Sequence, residues 1–256
     1  MKVVMLGCGT STGVPMVASN PPIARSPNPK DHRLRSAIYL EAAGSHVLID
    51  TGPDLRTQCL LNNITRIDAV LYTHAHADHV HGIDDIRGFN IARGGPIDCY
   101  GHADVLGAIE ERFSYAFQPW SGRGFWRPML TPHHIDGPFR IGDLEVAPFE
   151  QIHARQPSWG YRFGPFAYST DVKDLPPASF QALRGIEVWI VDALRYEPHP
   201  SHAHVDQVLA WVTELGVKRT ILTHMNHEMF YDELIAGLPK GVEPGYDGLV
   251  IELADA

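Results

Sequence analysis

The apolar run Ala69–Tyr72 passes directly into Thr73-His74-Ala75-His76-Ala77-Asp78-His79. A short apolar run of this kind reads as a buried strand. Three imidazoles and a carboxylate are costly to bury without partners, so the strand must deliver them to a rim. In α/β folds that rim is the carboxyl end of the strands. Neutral imidazole and carboxylate are ligands suited to zinc, iron or manganese. The same arrangement recurs downstream. His153 follows Val146–Phe149, Asp171 follows Phe166–Ser169 and His224 follows Thr220–Thr223. Taken singly, His153 or His224 reads as a hydrogen-bonded surface histidine and Asp171 as a turn or helix cap. Taken together, they converge on the rim that carries His74–His79.

The rest of the chain is organised around such strands. Val3–Leu6 reads as a first strand, followed by the Gly- and Ser/Thr-rich loop Gly7–Gly13 and an irregular Pro-, Ser- and Asn-rich loop, Pro15–Lys30. Ala37–Glu41 and His46–Asp50 form two strands about a Gly44–Ser45 turn. Asp54–Asn62, Asp84–Arg93 and Asp104–Phe113 read as helices. Tyr161–Phe163, Val188–Ala193 and Leu249–Leu253 are further strand candidates. Val205, Val208, Leu209 and Val212 share one face of a helix over His204–Leu215. Residues 114–134 are rich in aromatics, Gly and Pro and read as an insertion or lid, with His133 and His134 in a solvated loop. These elements predict one α/β domain over residues 1–256, with two sheets and helices outside.

Composition narrows the function. The formal net charge of −9 argues against a large nucleic-acid footprint, which needs a basic face. No apolar run approaches the roughly 18–20 residues that cross a bilayer, and Gly7 and Gly9 interrupt the only stretch resembling a signal peptide. Cys8, Cys59 and Cys99 are widely spaced and odd in number, which suits free thiols in a reducing, cytoplasmic compartment. The 15 histidines are the compositional outlier, and the motifs above use them.

These motifs, in this order, resemble the metallo-β-lactamase-fold hydrolases over nearly the whole chain. Asp50-Thr51-Gly52 resembles the first motif, an acidic strand end beneath the site. Thr73–His79 resembles the second, and His153, Asp171 and His224 the third to fifth. The resemblance implies an αβ/βα four-layer sandwich of two mixed sheets flanked by helices, with two divalent metal ions, zinc or manganese, or iron. It implies that His74, His76 and His153 hold one ion, that Asp78, His79 and His224 hold the other, and that Asp171 bridges them. Such a pair carries more positive charge than Asp78 and Asp171 offset, so the site attracts an anionic substrate and lowers the pKa of a bridging water. An aspartate as the fourth motif suits phosphodiesterases, RNase Z-like enzymes and glyoxalase II-like thioesterases.

Gly9–Pro15, His81–Asn90, Gly160–Phe163, Thr223–His227 and the Pro244–Leu253 segment resemble the RNase Z-like branch that includes phosphoribosyl cyclic phosphodiesterases. That resemblance implies hydrolysis of a small, cyclic or linear, nucleotide or sugar phosphodiester by a metal-bridging hydroxide. Asp78 would position the attack and His202 would act as general acid, with His204 as the competitor. It also implies a homodimer. Three alternatives share the ligand set: a tRNA 3′-processing endonuclease, a thioesterase or lactonase, and a non-catalytic metal-binding protein. The endonuclease relatives carry a long basic arm, and no such segment is present here. Many relatives also carry cysteines in the loop corresponding to Met16–Arg35, which bind a separate structural zinc. This loop has none, which implies that the zinc is missing. Arg33, Arg35, Arg87 and Arg162 are candidates either for phosphate contact or for internal ion pairing.

Overall fold

The computed structural model describes residues 1–254; the last two residues of the expected 1–256 domain lie outside the described residues. Two seven-stranded sheets face each other. The first is built from β1 (Lys2–Gly7), β2 (Ala37–Ala42), β3 (Ser45–Ile49), β4 (Ala69–Leu71), β5 (Ile97–His102), β6 (Leu130–Ile135) and β14 (Val250–Glu252), in the order β14-β1-β2-β3-β4-β5-β6. The second contains β7 (Phe139–Ile141), β8 (Leu144–His153), β9 (Gln156–Phe163), β10 (Phe166–Ser169), β11 (Val188–Asp192), β12 (Arg219–Thr223) and β13 (Val242–Pro244), in the order β13-β12-β11-β10-β9-β8-β7. Both sheets are mixed. β3 to β6 run parallel, as do β10 to β13; hairpins supply the antiparallel pairs β2–β3 and β7 to β10, and β1 pairs antiparallel with the more distant β2 and β14. The helices are α1 (Leu55–Leu61), α2 (Ala77–Val80), α3 (Ile86–Arg93), α4 (Ala103–Arg112), α5 (Pro177–Ala182), α6 (Val205–Leu215) and α7 (Tyr231–Gly237).

Side-chain alternation explains the layering. Val3 and Met5 of β1 join a buried cluster that runs through Phe149, Tyr161 and Tyr168 of the second sheet to Val205, Val208 and Trp211 of α6. Val4 and Leu6 point the other way, into a cluster with Leu55 and Cys59 of α1, Ile86 and Phe89 of α3, and Leu106 and Ile109 of α4. The central strands are therefore buried on both faces, which is why they read as continuous apolar runs. The helix over 205–215 buries Val205, Val208 and Trp211, so its face is rotated toward Trp211 from the one expected; Leu209 and Val212 are only partly covered. The β2–β3 hairpin turns through Ala43 and Gly44, both at positive φ (48° and 75°), as a two-residue hairpin of right-handed twist requires.

Residues 114–134 need a correction. Leu130–Ile135 is not part of a lid but the edge strand β6, parallel to β5 with Cys99 opposite Pro132 and Tyr100 opposite His133. Pro132 is tolerated because an edge strand leaves one row of backbone groups unpaired. Nor are His133 and His134 in a loop: they pair with Asp98 at 2.9 Å and Glu110 at 3.0 Å. What remains of the insertion, between α4 and β6, carries a stacked Trp120–Phe125 pair and an exposed Trp126. Among the described residues, no helix is long and apolar enough to cross a membrane.

Candidate metal centre

The carboxyl ends of both sheets meet at one rim. Two hydrogen bonds clasp them there, Trp159 N to Thr73 O at 2.9 Å and Tyr161 Oη to Tyr72 O at 2.7 Å. From the first sheet, β4 feeds the loop that carries His74 and His76 and the short helix α2 that carries Asp78 and His79. From the second, β8 ends at His153, and Asp171 and His224 stand two and one residues beyond β10 and β12. Asp50, Asp171 and His224 all adopt positive φ (67°, 52° and 57°). Non-glycine residues in this region are strained and persist only where their surroundings hold them.

The side chains form two groups whose donor atoms lie within 4.8 Å of one another: His74, His76, His153 and Asp171, and Asp78, His79, Asp171 and His224. Each group draws two residues from either sheet, and Asp171 belongs to both. In the first, His74 Nε2 lies 3.0 Å and His153 Nε2 3.2 Å from His76 Nδ1, with the Asp171 carboxylate 3.6–3.7 Å from His74 and His153. In the second, His79 Nε2 stands 3.1 Å from both Asp78 and Asp171, and His224 Nδ1 3.1 Å from Asp171.

Hydrogen bonds behind the imidazoles set their tautomers. His153 Nδ1 donates to Ser201 O at 2.8 Å and His79 Nδ1 to Asp50 at 2.7 Å. His74 Nδ1 meets Thr73 Oγ1 at 3.0 Å, and that hydroxyl donates to Asp50 at 2.8 Å. All three therefore turn Nε2 into the rim, the arrangement by which outer partners orient metal-binding histidines. Burial keeps His74 and His153 below the usual histidine range and holds His224 down to about 4, so these rings are neutral donors. His79 is the exception. Burial opposes its charge, but Asp171, Asp78 and Asp50 surround it and push its pKa well up. His79 Nε2 and both nitrogens of His224 are buried without a hydrogen-bond partner. Converging lone pairs, orphaned buried nitrogens and three carboxylates around one imidazole are what the protein side of a divalent-cation site presents. The donor set fits such ions.

His202 stands at the mouth of this rim. Its ring lies 4.8 Å from the rings of both His153 and His224. Its Nδ1 donates to Asp192 at 2.8 Å, and Asp192, the last residue of β11, is itself buried. Burial opposes protonation of His202, but Asp192 outweighs it and lifts the pKa to about 9. Asp192 also accepts from Val172 N at 3.1 Å. His204, the competitor, is the N-cap residue of α6 and makes no ring contact with the site histidines among the described residues. Sequence reasoning missed Asp192 although its signal was present, an apolar run ending in an acid at Val188–Asp192.

Of the arginines singled out above, Arg87 is exposed, whereas the other three are held by partners within the chain, Arg33 by the carbonyls of Asn226 and Met229. Arg35 pairs with Asp54 at 3.0 Å, and Arg162 donates to the carbonyls of Gly164, Ala182 and Arg184.

Two glycines make the rim possible. A Cβ on Gly82 would lie 2.0 Å from Gly52 O, and one on Gly52 would lie 2.3 Å from Asp78 O. Through this close approach Gly82 N donates to Thr51 O at 2.7 Å and Thr51 N to His79 O at 2.8 Å. Gly82→Ala is therefore expected to destabilise the protein by about 3 kcal/mol or more, the upper range for overpacking. Thermal unfolding measures this, and an unchanged midpoint would show that the turn yields.

Residues 45–225 match a family model described as a beta-lactamase superfamily domain. The chain is 36% identical over 256 aligned residues to a protein of Porphyromonas gingivalis named octanoyltransferase, covering 97% of this chain and 51% of that protein. It is 27% identical over 168 residues to a ribonuclease Z of Clostridium beijerinckii, covering 64% of this chain and 49% of that one. The chain thus spans about half the length of these curated relatives. Among solved structures it resembles a diphosphatase from the PhnP family, with a TM-score of 0.91, 34% identity, and coverage of 98% of this chain and 97% of that one. On its family match, its two-sheet architecture and this whole-length likeness, the chain belongs to the beta-lactamase superfamily and groups with the PhnP family within it.

Proposed function

We propose that this hydrolase-fold protein is a dinuclear metal-dependent phosphodiesterase acting on a small anionic phosphodiester, cyclic or linear, of a nucleotide or sugar. The observation that carries the reading is the pairing of two ligand groups sharing Asp171 with a buried, Asp192-backed His202 beside them. His74, His76, His153 and Asp171 would hold one ion, and Asp78, His79, Asp171 and His224 the other. Zinc or manganese suits these nitrogen and oxygen donors, and iron is compatible with them. When bound, such ions supply Lewis-acid stabilisation of phosphoryl oxygens and activation of water.

The chain's own residues complete the chemistry. With Nδ1 committed to Asp192, a protonated His202 presents Nε2–H to a leaving oxygen and donates its proton as that oxygen departs. Asp78, on the first turn of α2, orients the side of the rim from which the attack comes. The neutral His74, His153 and His224 hold fixed positions, so little reorganisation is needed as negative charge builds on the substrate.

The name of the P. gingivalis relative raises acyl transfer, but that name describes a protein twice as long. A thiol nucleophile has no support here, since Cys8, Cys59 and Cys99 are buried and burial pushes each thiol up, Cys59 to about 12. Buried free thiols suit a cytoplasmic protein. The net charge of −9 favours a small substrate over tRNA, and a homodimer is part of the proposal through the likeness to relatives.

The test is a screen of cyclic and linear phosphodiesters, a diphosphate-bridged substrate, a thioester and a tRNA precursor, with metal content measured throughout. Turnover of small diesters that depends on added zinc or manganese is expected. Thioester hydrolysis alone, tRNA cleavage alone, or no diester turnover with any metal would each overturn the reading.

A further inference from the structure

A second set of charged groups converges just outside the two ligand groups, on the turn that follows His224. Met229 N donates to Asn226 O at 3.4 Å and closes this turn. The Arg33 guanidinium, wholly shielded from solvent, lies against it. Its Nη1 donates to Asn226 O at 3.2 Å and its Nη2 to Met229 O. The Asp31 carboxylate stands 3.8 Å from Nη2, accepts from Tyr231 N at 2.7 Å and from Ser26 Oγ at 2.5 Å. The Lys30 ammonium sits 4.1 Å from the ring centres of both Tyr231 and Tyr246. Arg33 is fixed in turn, its backbone N–H donating to Val14 O at 2.7 Å and its carbonyl accepting from Val14 N at 2.9 Å.

A guanidinium taken fully out of water is costly unless it is paired and hydrogen-bonded. Arg33 finds its two carbonyl acceptors only when residues 226–229 are folded as a turn against it. That turn begins two residues after His224, whose positive φ must be imposed from outside. On its inner side the segment is held by Met225 N to Cys8 O at 2.9 Å and Thr10 N to Met225 O at 3.1 Å. Asn226 N also donates to Leu194 O at 2.9 Å, and beyond that point the turn is held by the loop around Asp31 and Arg33.

We propose that Arg33, backed by Asp31, is a positioning residue for His224. Through it the loop at residues 26–33 sets occupancy of the Asp78, His79, Asp171 and His224 group without touching the His74, His76, His153 and Asp171 group. This rests on the dinuclear reading above. It also gives the cysteine-free loop a role, since its buried ion pair buttresses one half of the centre.

The test is metal stoichiometry and affinity by zinc titration of the purified full chain, with the unfolding midpoint recorded alongside. The wild type is expected to bind two ions. Arg33→Met keeps the apolar stem and removes the donors; it should keep one tight ion and bind the second about tenfold more weakly or worse, the range seen when supporting groups of a metal site are lost. Asp31→Asn, a milder change that guards against failure of the first variant to fold, should weaken the same ion less. Two ions at wild-type affinity in both variants would overturn the proposal, as would parallel loss of both ions. A wild type that binds no zinc would instead overturn the dinuclear reading, and this inference with it.

Discussion

His202→Ala is expected to slow hydrolysis of a diester with a sugar-alcohol leaving group by about 10²–10⁴-fold, the usual weight of a positioned general acid. A bis-aryl diester should lose about tenfold or less, because a phenolate departs without a proton. The reason lies in the hydrogen-bond inventory. Nδ1 of His202 is occupied by Asp192 at 2.8 Å, so only Nε2 is left to serve a substrate, and the same carboxylate favours the protonated ring. Asp192→Asn should reproduce the same leaving-group pattern in weaker form, since it removes the charge but leaves an acceptor. Steady-state rates on paired alkyl and aryl diesters read this directly. Equal losses on both substrates would remove His202 from the acid role and leave it a packing partner of His153 and His224.

Asp171→Ala is expected to have the largest effect of any single change at the rim. Its carboxylate stands within 3.1 Å of His79 and His224 and within 3.7 Å of His74 and His153, so one truncation strips an acidic ligand from both groups. It also removes the charge that balances four converging imidazoles. Metal content measured after dialysis should fall below one ion per chain, and diester turnover should drop by at least about 10³-fold, as when essential members of a catalytic unit are removed. Retention of both ions by the variant would show that another carboxylate bridges them.

Much of this centre was legible in the sequence because its residues share one rule. An apolar run marks a strand buried on both faces, and the first acid or imidazole after it marks the rim. Asp50, which anchors Thr73 and His79 from beneath, came instead from the resemblance of Asp50-Thr51-Gly52 to the family's first motif, whereas the rule located His74, Asp171 and His224. It applied equally to Asp192 but was not followed there, since a lone acid after a strand carries no motif around it. The edge strand β6 was hidden for a different reason. Only Leu130 and Ile135 of it are buried, and Pro132 sits in its middle, so neither alternation nor an apolar run advertises a strand. Its pairing comes from β5, a tertiary partner that no local window contains. The contacts of Arg33 were equally invisible, because its acceptors are backbone carbonyls nearly 200 positions away, and carbonyls leave no trace in side-chain identity.

The division of each ligand group between the two sheets has a thermodynamic consequence. Two residues of either group ride on the first sheet's rim and two on the second's, so neither group exists unless the sheets are docked face to face. Under the proposed dinuclear reading, cation binding would be linked to closure of the seam between the halves, and free metal would stabilise the native state by RT ln(1 + [L]/Kd) for each occupied group. The protein's thermal midpoint would then report metal supply. Starved of metal, the chain would first loosen along the plane between its sheets, at the end where Trp159 and Tyr161 reach across to Thr73 and Tyr72.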